Sequence, residues 1–225
     1  MTGTATKGAD MSDDKLVGYV SDELFWDPKV DNEAIAVSAD DGKITLRGTV
    51  GSYREKLEAK KAAQRVYGVK SVENKLEVKL LNGDKREDAE LRGDVLQALM
   101  LDSLVPKSVD AKVDDGLVTL TGTADWQYQR DEAEFVSANV FGVIAVIDEI
   151  GLKPSPGAAD VKHSIKEAFK RNAKLDADDL TVTTSNGTAT IEGVVNSWAE
   201  HDQAVSAAWF SPGVTAVDDQ IIVDY

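Results

Sequence analysis

Ser197, Glu200 and His201 lie close enough in the chain to suggest a nucleophile, an acid and a base on one helical turn. That would be acyl-transfer chemistry. Ser197-Trp-Ala-Glu200 is also a capping box, in which serine and glutamate satisfy the free N–H groups at a helix start. That backbone role accounts for both residues. The second histidine, His163, sits on a predicted helix face. There is no cysteine, hence no thiolate ligand and no disulfide. No glycine-rich phosphate loop or zinc-ligand spacing occurs. No catalytic residue, cofactor or metal ligand is assigned, and the expectation is a protein that is not an enzyme.

Three weaker constellations remain. Paired carboxylates recur at Asp40-Asp41, Asp114-Asp115, Asp178-Asp179 and Asp218-Asp219. A hard cation needs several oxygens from one site, whereas adjacent aspartates on a strand point apart, so turn chemistry explains most of them. Arg54, Lys56, Lys60, Lys61 and Arg65 form a basic helix. The plain reading is a solvated face paired with Glu55 and Glu58. The sharper one is contact with anionic lipid headgroups or with an acidic neighbouring module. Trp26, Trp126, Trp198 and Trp209 fall at predicted helix ends or starts. They serve core and inter-module packing, or, if exposed together, a partner surface.

These residues sit on a pattern written three times. Asp41-Gly42, Asp115-Gly116 and Asn186-Gly187 are followed six residues after the glycine by Gly48, Gly122 and Gly193. Twenty residues later come Gly68-Val69, Gly142-Val143 and Gly213-Val214. Such a repeat decides the fold before any local reading does. Leu16, Val20 and Leu24 share one helical face, as do Leu91, Val95 and Leu99, and Val161, Ile165 and Phe169. Ser12-Asp-Asp14 supplies a cap and acidic first turn, and Asp27-Pro28 a stop. Alternating apolar residues on either side of each Asp-Gly or Asn-Gly predict a hairpin. Gly48, Gly122 and Gly193 predict a close backbone approach, read as the second helix packing over the sheet. Capping boxes at Ser52–Glu55 and Ser197–Glu200 open second helices, with Asp125 or a neighbour capping the middle one. Ala59, Ala133 and Ala204 let those helices lie close, and Gly68, Gly142 and Gly213 are read as helix stops. A last strand closes each copy through a crossover expected to be right-handed.

The expectation is therefore an α+β protein. It has three tandem α-β-β-α-β modules, each a small three-stranded mixed sheet with two helices on one face. The boundaries are a flexible tail over 1–11, then 12–81, 88–153 and 158–225, joined by a polar linker and a proline-stiffened one.

Charge separates the copies. Residues 12–81 carry 12 basic against 13 acidic residues, 89–153 carry 5 against 12, and 158–225 carry 5 against 11. With a total of −15, phosphate neutralisation is poorly served, so nucleic acid is not an expected partner. No stretch reaches the ~18 apolar residues of a membrane span. The start lacks the apolar core of a signal peptide. A cytoplasmic location is expected, or a periplasmic one if a signal peptide has been removed.

The segments Leu24-Phe-Trp-Asp-Pro28, Asp41-Gly-Lys-Ile-Thr-Leu-Arg-Gly48 and Gly68-Val-Lys-Ser-Val72, with their later copies, resemble the BON domain. That family is named for bacterial osmotically inducible and nodulation-associated proteins. The resemblance covers nearly all of residues 12–223 and is nearest to the osmotically inducible protein Y group. It implies the same α-β-β-α-β fold, roles in envelope or osmotic stress, phospholipid association, and binding of small ions or partners. It supplies no catalytic motif. The function expected is a non-catalytic, stress-associated binding or scaffold protein. Alternatives are a phospholipid- or envelope-associated protein using the basic helix, and a cation sensor. The expected partner is a protein or a second copy of the chain, with anionic phospholipid as the alternative.

Overall fold

In a computed structural model that describes residues 12–80, 86–153, 161–171 and 180–225, the repeat becomes three sheets, each covered by two helices. The tail and most of both linkers lie outside the described residues, as does Asp178-Asp179. The first module runs α1 (Asp13–Trp26), β1 (Ile35–Asp40), β2 (Lys43–Val50), α2 (Tyr53–Gln64) and β3 (Ser71–Val78). The second runs α3 (Asp88–Leu101), β4 (Asp110–Asp114), β5 (Leu117–Ala124), α4 (Gln127–Ala138) and β6 (Ala145–Leu152). The third runs α5 (Val161–Arg171), β7 (Leu180–Ser185), β8 (Thr188–Val195), α6 (Trp198–Trp209) and β9 (Ala216–Val223).

Within each sheet the middle strand is the return strand of the hairpin. It pairs antiparallel with the strand before it and parallel with the strand after the second helix. Alternation then puts Ile44, Leu46 and Val50 of β2 on the covered face, where they meet Leu16, Val20 and Leu24 of α1 in one buried cluster. Each such side chain contributes about 1.5–3 kcal/mol by leaving water. Equivalent clusters fill the other modules, so the described residues form three cores. Ala59, Ala133 and Ala204 are fully buried where the second helices meet their sheets.

The turn residues Asp41 (φ 46°) and Gly42 (φ 78°) are both left-handed, the requirement of a tight two-residue hairpin. The two other hairpins repeat it. The strand glycines differ from expectation. Gly48 (φ 126°) does not make room for a helix: a Cβ there would lie 1.9 Å from the carbonyl oxygen of Ala34, at the entry to β1. At Gly122 the obstacle is the Ser108 carbonyl, at 2.2 Å. The third glycine is not the helix stop either. The second helix of module one ends at Gln64, and Gly68 sits in a separate turn closed by Val69 N–H donating to Val66 O at 3.2 Å. Its φ of 91° suits the third position of such a turn.

Caps follow the sequence with small changes. Ser52 and Ser197 accept from the amides of Glu55 and Glu200 at 3.1 Å. The glutamates reach one residue further back than a capping box requires, to the amides of Gly51 and Asn196 at 2.8 Å. In the middle copy Trp126 is the cap residue, and the Gln129 carboxamide oxygen accepts from the Asp125 and Trp126 amides. Ser12 caps α1 through its carbonyl, without a side-chain bond.

Candidate functional site

The second helices α2, α4 and α6 come from three modules and line one cleft of about 1240 Å³. One wall is the basic helix, with Arg54, Lys60, Lys61 and, just past its end, Arg65. Facing residues are acidic: Asp131, Glu132 and Glu134 from α4, Asp202 from α6 and Asp219 from β9. Phe135, Trp198, Tyr67 and Tyr225 add aromatic surface.

Two joints build this cleft, one at the start of α2 and one in the loop that follows it. At its start, Tyr53 packs against the core of module two and its hydroxyl faces Glu134 and the backbone of Val146. Burial, then the Glu134 charge, raises the Tyr53 pKa above its ordinary 10.0. Arg54 lies over the Phe135 ring at 4.2 Å, a cation–π contact. Beyond the other end of α2, the Trp198 indole N–H donates to Val69 O at 2.9 Å. Tyr67 meets Tyr225 edge to face at 4.6 Å, and Lys70 pairs with Asp224 at 3.4 Å. Tyr53 and Trp198 are both first residues of second helices, five residues after the strand glycine. The matching residue of α4, Gln127, bonds Asp131 at 2.7 Å instead.

The basic residues divide into two kinds. Arg54 bonds Glu58 at 2.5 Å, and Glu58 also takes Lys29 at 3.0 Å. Burial would raise the Glu58 carboxyl, but Lys29 and Arg54 outweigh it and hold its pKa below the ordinary value. Arg65 joins Glu23 at 2.8 Å and buried Asp27 at 2.7 Å. Both arginines are thus occupied within module one. Lys60 and Lys61 are exposed on the cleft side, and Lys56 is absent from the lining. On the acidic wall, burial raises the Asp131 and Glu134 pKa values, and neighbouring carboxylates raise Glu134 further.

The tryptophans are not one surface. Trp26 stands 77% exposed at the end of α1, edge to face with Phe25. Trp126 caps α4, Trp209 packs against the third core, and Trp198 alone lines the cleft. His201 contacts Asp219 at 2.8 Å and Asp202 at 3.1 Å, while the Ser197 hydroxyl is engaged by the helix start. The three do not form a nucleophile relay. Among the described residues no three His, Asp or Glu side chains gather as a metal site would need. No described helix is long and apolar enough to cross a membrane.

Sequence reasoning passed over Tyr53, Phe135, Tyr67 and Tyr225. The shared register of Tyr53 and Trp198 was the available signal; the others are joined only by tertiary contact.

The BON domain model matches the chain three times, at residues 12–79, 87–154 and 158–225. The chain belongs to the BON domain family. One relative, osmotically-inducible protein Y of Escherichia coli (strain K12), is 32% identical over 152 residues, covering 64% of this chain and 74% of its own length. Among solved structures, CdsD, a structural protein of the type III secretion system of Chlamydia trachomatis, aligns with 93% of this BON protein and 92% of its own chain. That alignment has 14% identity and a TM-score of 0.26, too low to carry a functional reading.

Proposed function

We propose that this BON protein is a non-catalytic, stress-associated binding protein whose working surface is the cleft between its three second helices. The observation that carries this reading is the cleft's composition. Each module supplies one helix, and together they bring a lysine-bearing wall, a carboxylate wall and aromatic faces to one concave surface of about 1240 Å³. Similarity to an osmotically inducible protein supports the stress setting. The serine and glutamate that could have served catalysis are committed to a helix start. Concave sites with apolar surface and convergent polar groups are the usual form of a binding site.

The test is photocrosslinking in hyperosmotically stressed cells. A photoreactive residue at Leu57 or Gln64, in the cleft, is compared with one at Glu77, exposed on β3. Stress-dependent adducts from the cleft positions alone support the reading. Equal adducts from all three, or none from the cleft, sink it.

Anionic phospholipid is a second reading, favoured by the exposure of Lys60 and Lys61. In low-salt vesicle co-sedimentation it requires Lys60→Glu/Lys61→Glu to pellet less than wild type.

A further inference from the structure

His201 is 12% exposed and has a carboxylate oxygen at each ring nitrogen, Asp219 at 2.8 Å and Asp202 at 3.1 Å. A neutral imidazole carries one N–H and can donate to one of them; its other nitrogen would turn a lone pair toward a carboxylate. The geometry is that of an imidazolium. One helical turn back on the same face, the Trp198 ring centroid lies 4.7 Å away, within the range of a cation–π contact. Trp198 in turn donates to Val69 O of module one. A single titrating ring therefore backs the side chain that ties module three to module one.

We propose that His201 is a pH-sensitive latch: its protonated form holds Trp198 in the joint with module one, and its deprotonation loosens that joint and widens the cleft. Loss of the proton removes the charge facing Trp198 and leaves one carboxylate opposed to a lone pair, so the ring must turn or that carboxylate must move. The Tyr67–Tyr225 contact and the Lys70–Asp224 pair remain, so the joint loosens and does not come apart. Burial alone would lower the imidazole pKa, but Asp202 and Asp219 outweigh it and hold it above the ordinary 6.5. The latch is consequently closed at acidic pH and releases as pH rises through a value above 6.5.

Other charges lie near the same ring. On its own elements, Glu200 bonds the Asn196 amide, and Asp218 lies on the opposite face of the strand from Asp219, by Thr190 and Gln220. Across the cleft stand Arg54, Lys60 and Lys61 of α2, with Arg65 beyond, and Asp131, Glu132 and Glu134 of α4. They are of both signs and act through the open cleft, where salt screens them.

The experiment is a distance measurement on the full chain. No cysteine is present, so Glu77→Cys and Glu192→Cys, exposed in modules one and three, give unique spin-label sites. Between about pH 6 and about pH 9 the label-to-label distribution should broaden and lengthen. In Asp219→Asn the transition should move to lower pH, because one stabilising carboxylate is gone. In His201→Gln the transition should vanish. That variant keeps every other titrating group, so a response that survives in it belongs to them and overturns the latch. A wild-type distribution unchanged across the range overturns it too, as does an unmoved midpoint in Asp219→Asn.

Discussion

Asp27 is 7% exposed and is held charged by its neighbours. It accepts from Arg65 at 2.7 Å and from the Lys29 amide at 3.0 Å. These bonds, the arginine first, outweigh burial and set its pKa below the ordinary 3.8. The sign follows: a depressed carboxyl adds stability that is present above the unfolded value and lost as pH falls through the folded one. Asp27→Ala should cost about 2 kcal/mol in urea unfolding near neutral pH, the scale of a hydrogen bond to a charged group. Its deficit should shrink on acidification. Ser137 is the opposite case. It stands where modules one and three have Ala63 and Ala208, fully buried, and its hydroxyl finds no partner among the described residues. Ser137→Ala should stabilise the chain by about 1 kcal/mol by removing an unsatisfied polar atom. A thermal melt is enough to check it.

At the scale of elements, glycine shows how a repeated letter can hide different reasons. The hairpin glycines were legible, because Asp-Gly between alternating apolar runs has one economical geometry. The strand glycines were legible as a close approach, but the neighbour was not. The obstacle at Gly48 and Gly122 is a carbonyl leading into the first strand of the hairpin. Which group comes close depends on how the hairpin closes, and spacing alone does not specify that. Gly122→Ala should therefore destabilise strongly, by several kcal/mol, since backbone must move and φ is 122°. Gly93, exposed inside α3 with open space around its Cβ direction, should behave in reverse. Gly93→Ala should stabilise by about 1 kcal/mol, the helix propensity difference. Side-by-side chemical denaturation of the two variants separates backbone geometry from propensity.

Across the whole molecule, the basic helix is central because it makes one joint at its start and leads into the loop that makes the other. It was visible in the sequence as a charged surface with no stated neighbour. The structure turns it toward the carboxylates of modules two and three. Tyr53 and Trp198, one at each joint, occupy the same position of the repeat, where module two has Gln127. Tyr53→Ala should leave each module folded while loosening module two from module one. Small-angle scattering should then show a larger radius of gyration, with far-ultraviolet circular dichroism unchanged. Tyr53→Phe, which keeps the packed ring, should retain most of the compactness.

The sequence by itself determined what repeats: element order, hairpin turns, helix starts and the covered face of each sheet. These depend on backbone dihedral needs and on apolar period, and both are local properties of a few neighbouring residues. It also excluded thiol chemistry and made phosphate-neutralising roles poor candidates by composition. Tertiary structure alone decided which copies touch, that the three second helices share a cleft, and that His201 lies between two carboxylates behind Trp198. Asp219 is 18 residues from His201, and Val69 is 129 residues from Trp198. No local period connects such pairs. Asp219 meets His201 because β9 packs against α6 within module three, whereas Val69 meets Trp198 because modules one and three pack against one another, through residues in which the copies differ.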